Sequence, residues 1–219
     1  MPSNVINSTN IENNILNIEF KNIRNNNALS LLMLDDLLTI LSRKNLNKKY
    51  QVIVFKGYGN SPFSAGADLN DIKMLKKTNN IEIYHKKLNA VLNKLRKLNI
   101  ITVSVINDFC IGAGFIFSMY TDISIVNDNC IFSIPASKLN IKLPKSQLDY
   151  IFNKFPKNKL LKEVILTGRK FTAYEALNFH LINIVYQNKN FKKKYLDFLS
   201  NFMKNDEKIR GYYFKKLYH

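Results

Sequence analysis

The sequence predicts a single α/β domain built on a mostly parallel sheet, and three observations carry that reading. Residues 51–55 and 100–106 are short apolar runs rich in β-branched side chains, the composition of strands buried on both faces of a parallel sheet. Amphipathic segments lie between the strands, and in the first of them Leu31, Leu34, Leu38 and Leu41 form one apolar stripe. Finally, 219 residues with 46% hydrophobic content and no linker suit one core.

Taken in order, residues 1–14 are Asn-rich, carry Glu12 and contain neither an apolar core segment nor arginines. They read as a short disordered lead-in rather than a signal or transit peptide. Residues 16–20 alternate apolar and polar, which predicts a half-buried strand. An Asn-rich turn at 25–27 leads into a helix over 28–42. The strand at 51–55 is followed by a turn-rich segment containing Gly57, Gly59, Pro62 and Gly66. A second amphipathic helix spans 81–98, a strand 100–106, and a helix opens at Gly112-Ala113-Gly114 and runs to Tyr120. Short strands are expected at 123–126 and 130–132, and helices over 151–166, with a break near Pro156, and over 173–179. The end of the chain, 188–219, reads as a basic helical tail. Strands alternating with helices in this way imply the α/β class, and no internal repeat is present.

The formal net charge of +17 resembles a nucleic-acid signal. Against that, the lysines are spread from Lys21 to Lys216 in a chain crowded with Lys, Asn, Ile and Tyr, the pattern of AT-rich codons and a solvated basic surface. No apolar run reaches the roughly 18–20 residues of a membrane span, which excludes membrane insertion. Two cysteines, Cys110 and Cys130, provide no disulfide framework and suit a reducing compartment. No Cys/His cluster has metal-ligand spacing. The last residues do not form a Ser-Lys-Leu peroxisomal signal. The cytosol is the default location, with a mitochondrion or other organelle left open.

Two segments carry chemistry because each joins a buried strand to a helix through small residues. One is Ser61-Pro62-Phe63-Ser64-Ala65-Gly66-Ala67-Asp68-Leu69; the other is Ile111-Gly112-Ala113-Gly114. Small residues let a ligand approach the backbone and leave N–H groups without secondary-structure partners. One such N–H from each turn can converge on a single oxygen and stabilise negative charge as it develops there, as at the enolate of a thioester. The second donor sits at a helix N-terminus, where the dipole favours negative charge. Read without function, both segments are simply tight turns.

At this order and spacing the segments resemble the crotonase superfamily, which contains the enoyl-CoA hydratases and isomerases. The resemblance runs from about Ile15 to Tyr186. It rests on Asn27-Ala28-Leu29, on Ser64-Ala65-Gly66-Ala67-Asp68-Leu69, on Val105-Ile106-Asn107 with Gly112-Ala113-Gly114, and on Asp122-Ile123-Ser124-Ile125-Val126. Phe132-Ser133-Ile134-Pro135, Leu166-Thr167-Gly168-Arg169, Ala173, Glu175-Ala176 and Leu181-Ile182-Asn183-Ile184-Val185 continue it. The resemblance implies a ββα spiral over residues 15–187 and a coenzyme A pocket. It implies an acyl-CoA thioester as substrate or ligand, with no tightly bound cofactor, and a homo-trimer or hetero-complex. The oxyanion-hole amides would be Ala65 and Ala113, with coenzyme A contacts from Ala28, Ser64, Ala65, Gly66, Ala67, Asp68 and Leu69. Ala113 replaces a usual glycine, and a backbone angle that only glycine tolerates would cost about 1 kcal/mol there.

The catalytic carboxylates of the family are missing. In hydratases two glutamates activate water and deliver the proton; they match Ile116 and Ala136 here. The place after a later proline, where some isomerases keep a glutamate, is Lys145. Asp149, one helical turn beyond Lys145, is the candidate substitute acid or base, with a solvated surface role as its plain reading. Asp122 reads as structural, His85 as packing or surface, and Asp68 as a helix cap. The tail after Phe191 is shorter than the helices that close the acyl pocket and build the trimer in the family. Three readings follow: an acyl-CoA-binding protein with degenerate or absent hydratase activity; an active hydratase or isomerase with an unrecognised acid or base; and an RNA-binding member. Site chemistry favours the first.

Overall fold

A computed structural model of the chain describes residues 5–10 and 14–218. Among the described residues the strands are Val5–Asn10 (β1), Ile15–Phe20 (β2), Val52–Gly57 (β3), Ile101–Ile106 (β4), Phe109–Ile111 (β5), Ile123–Asn127 (β6), Ile131–Ser133 (β7), Lys170–Thr172 (β8) and Ile184–Tyr186 (β9). Six of them form one sheet in the order β1-β2-β3-β4-β6-β9, parallel throughout except for the antiparallel β1–β2 pair. A small second sheet has the order β5-β7-β8. The helices are Leu31–Leu41 (α1), Leu46–Lys49 (α2), Leu69–Lys77 (α3), Ile81–Arg96 (α4), Ala113–Met119 (α5), Lys145–Lys154 (α6), Lys159–Thr167 (α7), Ala173–Asn178 (α8), Phe191–Lys204 (α9) and Glu207–Tyr218 (α10). The chain repeatedly visits the large sheet, then the small one, then a helix: β4–β5–α5 is one such turn and β6–β7–α6 the next. This is the α/β spiral with a mostly parallel sheet that the sequence predicts.

The two-residue period of a strand sends neighbouring side chains to opposite faces, and here both faces are covered. Ile53 and Phe55 of β3 join Leu16, Ile18, Phe20 and the helical leucines in the main core, while Val52 and Val54 join Ile15, Val103, Val105 and Ile125 on the other face. Phe20, Phe55, Phe63 and Phe117 meet in the main core at centroid distances of 5.0–6.5 Å, several edge to face. Such pairs add about 0.5–1.5 kcal/mol beyond their buried area.

The outer face of the sheet is closed by α9, which sets Phe191, Tyr195 and Leu199 onto Val52, Val54, Val103, Val105 and Ile125. Those three residues recur every four positions, one stripe of a helix, and cover the chain's own sheet. Two expectations change as a result. The core runs past residue 187, so 188–219 is not an appended tail. The segment is also two helices, interrupted at Asn205-Asp206, where Asp206 Oδ1 accepts the Ile209 N–H and starts α10. Leu196 lies on the other side of α9 and is exposed.

The lead-in also differs. Val5–Asn10, expected to be disordered, is a strand paired antiparallel with β2 from Val5 opposite Phe20 to Asn10 opposite Ile15. Asn14, at φ 50°, supplies the left-handed turn before β2. The rest of that expectation, at residues 1–4 and 11–13, and the C-terminal His219 lie outside the described residues. Helix α3 was not foreseen as an element, although its cap was: Asp68 Oδ1 accepts the Asn70 N–H at 2.9 Å. No helix among the described residues is long and apolar enough to cross a membrane.

Candidate functional site

The Asn-rich turn is a scaffold for the first of the two small-residue turns. Asn26 and Asn27 both take left-handed angles (φ 50° and 55°), which asparagine tolerates better than most residues. Asn22 and Asn25 donate their side-chain amides to Asp68 Oδ2, and Asn27 Nδ2 donates to Pro62 O and Ser61 Oγ. Residues 22–28 and 61–68 are thereby laced together.

Within this lacing the Ala65 N–H donates to Asn26 O at 3.0 Å, and the Gly66 N–H to Ser64 Oγ at 3.1 Å. Ala65 therefore has no amide to offer a ligand, which corrects the expectation placed on it. The available donor is two residues on. Leu29 pairs with Ala67 in a parallel bridge, in which the Leu29 N–H donates to Gly66 O and the Asp68 N–H donates to Leu29 O. In such a bridge the bonds flank Ala67, so its own N–H and C=O face away from Leu29. Tyr84 locks the bridge by donating its hydroxyl to the same Leu29 O at 2.9 Å. Burial pushes the Tyr84 phenol far above its ordinary value, with Asp71 and Asp68 adding to the effect, so it remains a protonated donor.

The second turn delivers Ala113 as expected. It is the first residue of α5, and the bonding of the helix starts at the Ile116 N–H, which donates to Gly112 O. The Ala113 N–H thus remains among the unpaired donors of the helix start. The unusual backbone angle falls on Gly112 (φ 51°, ψ −118°), so alanine at 113 carries no strain. The two turns touch. A Cβ built on Gly66, itself at φ +101°, would lie 2.9 Å from Ile111 O and 3.6 Å from Ala113 N, while one on Gly114 would lie 2.5 Å from Ser64 Cβ. Glycine at 66 and 114 is what allows this contact.

Ala67 and Ala113 line one cavity of about 140 Å³ with Ala65, Gly66, Leu69, Ile72, Leu88, Ile116, Ile134, Ala136, Ile141 and Leu143 among its walls. Ala28, Ser64 and Asp68 do not line it. Ser64 and Asp68 are buried in the lacing just described, and the Ala28 N–H donates to Asn25 O. Leu69 and Leu139, both exposed, mark an apolar rim. Ile116 and Ala136 stand in the cavity wall. Lys145 and Asp149 are outside it: both are well exposed and pair with each other at 2.7 Å. Asp149 therefore does not reach the cavity, and the expectation of an acid or base there fails.

Two polar side chains of the cavity were missed. Gln147, buried on α6, donates its Nε2 to Asn89 Oδ1 on α4 at 2.7 Å and joins two walls. His85 on α4 is half-buried and lines the same cavity, where the sequence reading had it as packing or surface. Burial lowers its pKa, opposed by Glu82. The signal was helical phase: His85 precedes Leu88 by three residues and Leu92 by seven, all on the inward stripe.

Comparison with known proteins shows the family and the fold. The family model "Enoyl-CoA hydratase/isomerase" matches residues 10–217. The chain is 26% identical over 162 residues to the mitochondrial Delta(3,5)-Delta(2,4)-dienoyl-CoA isomerase of Dictyostelium discoideum, covering 69% of this chain and 55% of that protein. It is 27% identical over 178 residues to the mitochondrial enoyl-CoA hydratase domain-containing protein 3 of Rattus norvegicus, covering 81% and 58%. The chain thus spans little more than half the length of the curated relatives it matches. Among solved structures, enoyl-CoA hydratase from Thermoplasma volcanium GSS1 superposes with a TM-score of 0.85 at 22% identity, covering 99% of this chain and 84% of that one. A Thermobifida fusca YX structure in complex with acetoacetyl-CoA superposes with a TM-score of 0.83 at 18% identity, covering 98% and 86%. Nothing in these comparisons supports the RNA-binding reading. The matched family model and the spiral fold agree: the chain belongs to the enoyl-CoA hydratase/isomerase family of the crotonase superfamily.

Proposed function

We propose that the chain binds an acyl-CoA thioester with its carbonyl oxygen between the Ala67 and Ala113 amides, and that it lacks two-carboxylate hydration. The observation that carries this reading is the pair of unpaired N–H groups on touching turns that line one apolar cavity. Donors fixed by secondary structure need no reorganisation as charge grows on the oxygen, which is what makes such a site effective. The second amide also starts a helix, although α5 is short.

The shape of the cavity restricts the acyl group. Sites for drug-sized ligands run to about 300–1,000 Å³, and this one, at about 140 Å³ between Ile116, Ile134, Ile141 and Leu143, fits a short uncharged chain. The bulk of coenzyme A would lie outside, past the apolar rim of Leu69 and Leu139. Ile116 and Ala136 carry no transferable proton, and Lys145 points to solvent paired with Asp149. Each acid–base group is typically worth about 10²–10⁴-fold, so hydration of the type that needs both is lost.

Titration of the protein with butyryl-CoA and with free coenzyme A, followed by a crotonyl-CoA hydration assay on the same sample, tests this. The reading expects the thioester to bind more tightly than free coenzyme A, with negligible hydration. Equal binding of the two removes the oxyanion hole, and hydration at ordinary enzymatic rates removes the loss of function.

A further inference from the structure

We infer that His85 is the proton carrier of this cavity and serves a one-base proton shift on the bound acyl chain. The inference rests on the acyl-CoA reading and says what chemistry that site retains. Apart from Tyr84, whose hydroxyl is spent on Leu29 O, His85 is the titratable side chain among the described residues that line the cavity. Its ring stacks edge-on with Tyr84 at 6.3 Å, but neither ring nitrogen bonds to another described residue. No hydrogen bond to a described residue therefore competes for them with a ligand in the cavity that His85 lines. Its position is also fixed. The Tyr84 hydroxyl anchors α4 to the bridge that turns Ala67 toward the cavity, and Gln147 ties α4 to α6 through Asn89.

The surroundings suit a base. Glu82, on the same helix, is the charged group that acts on His85; the cavity it lines is walled by Leu69 and Ile72 from α3, Leu139 from the segment after β7, and the neutral Gln147 from α6. Desolvation by burial outweighs Glu82 and favours the neutral imidazole, the form that accepts a proton.

The chemistry balances with one such group. Neutral His85 takes a proton from the carbon beside the thioester carbonyl, and the C–H electron pair moves into an enolate whose oxygen accepts from Ala67 and Ala113. The imidazolium then returns a proton either to the same carbon, which gives exchange with solvent, or to the γ carbon of a 3-enoyl chain. In the second case the double bond moves from the 3,4 to the 2,3 position. No water is consumed and no oxidant or second carboxylate is required, so the empty positions at Ile116 and Ala136 do not block this reaction.

Wild type and His85→Gln, compared with butyryl-CoA and vinylacetyl-CoA in D₂O, test the inference. Binding is read by calorimetry, and α-deuteration and conversion to crotonyl-CoA by NMR. The expected result is turnover by the wild type and a fall of about 10² or more in His85→Gln, with butyryl-CoA affinity unchanged within about twofold. The wild-type rate should rise with pH through a single limb below the ordinary histidine value of 6.5 and stay level through neutrality; in His85→Gln that limb should vanish. Tight binding with no turnover by the wild type, or equal turnover by the variant, overturns the role of His85 and leaves acyl-CoA binding standing. Failure to bind butyryl-CoA overturns both.

Discussion

Truncation or truncating substitution of α9 should unfold the domain, because this helix covers the outer face of the large sheet. Leu199 is 4% exposed and packs with Phe191 and Tyr195 on five aliphatic side chains of β3, β4 and β6. Buried Leu→Ala changes cost about 2–5 kcal/mol. Leu199 lies between one helix and a sheet near the surface, where the gap can partly collapse, so the low end applies, about 2–3 kcal/mol. Phe191→Ala should cost about 3 kcal/mol or more. The two positions are eight residues apart, about 12 Å along the helix, so their effects should nearly add. The double variant then loses about 5–6 kcal/mol, a large part of the roughly 5–15 kcal/mol that holds a domain folded. Leu196→Ala, on the exposed side at 47%, is the control and should change stability by less than about 0.5 kcal/mol. Urea unfolding followed by circular dichroism measures all three. If Leu196→Ala and Leu199→Ala behave alike, or if a chain ending at Lys189 keeps its α/β spectrum and unfolds cooperatively, α9 is not part of the core.

Gly66→Ala should weaken butyryl-CoA binding at least about tenfold, measured by calorimetry, because its methyl would lie 2.9 Å from Ile111 O and beside Ala113 N at a φ of +101°. Ile116→Glu should be tolerated in acid and destabilised by alkali. Burial raises the carboxyl pKa in the folded state, so stability is lost as pH rises above about 4.3, the unfolded value, which thermal melts at pH 5 and pH 8 would detect. Adding Ala136→Glu should raise crotonyl-CoA hydration above that of the parent chain. Glu175 behaves in the opposite sense. Its bond from the Thr172 N–H, together with Arg169, holds its carboxyl below the ordinary 4.5, so its contribution is present above that pH and is lost as the pH falls through the lower folded value. Glu175→Gln should flatten that part of the acid unfolding curve.

The sheet was legible because strands covered on both faces are apolar at every position, as Val52 to Phe55 show, and because the helices α1 and α4 carry clear stripes. Other elements left weaker marks. Helix α3 buries only Ile72 and Leu75, too few positions to show a period. In α9, Phe191, Tyr195, Phe198, Leu199 and Phe202 form one stripe, legible in the sequence, but only the bare face of the sheet shows what that stripe covers. The turn motifs located the proposed site, but not which amide faces away from its internal partners. Ala65 and Ala67 flank the same glycine with identical side chains, and the choice between them is made by partners distant in sequence: Asn26 consumes one N–H, and the Leu29 bridge frees the other. Asp149 looked available until its pairing with Lys145 fixed it in solvent. His85 looked ordinary until α6 and the segment before it closed a cavity around its helix.

The most direct test of the account is an NMR titration of protein labelled with [¹⁵N]alanine, using butyryl-CoA. The account predicts that the amide protons of Ala67 and Ala113 move downfield together as the thioester oxygen binds, while Ala65, held by Asn26, stays in place. Movement of Ala65 with Ala67 unchanged, or no movement of Ala113 at saturation, would contradict it.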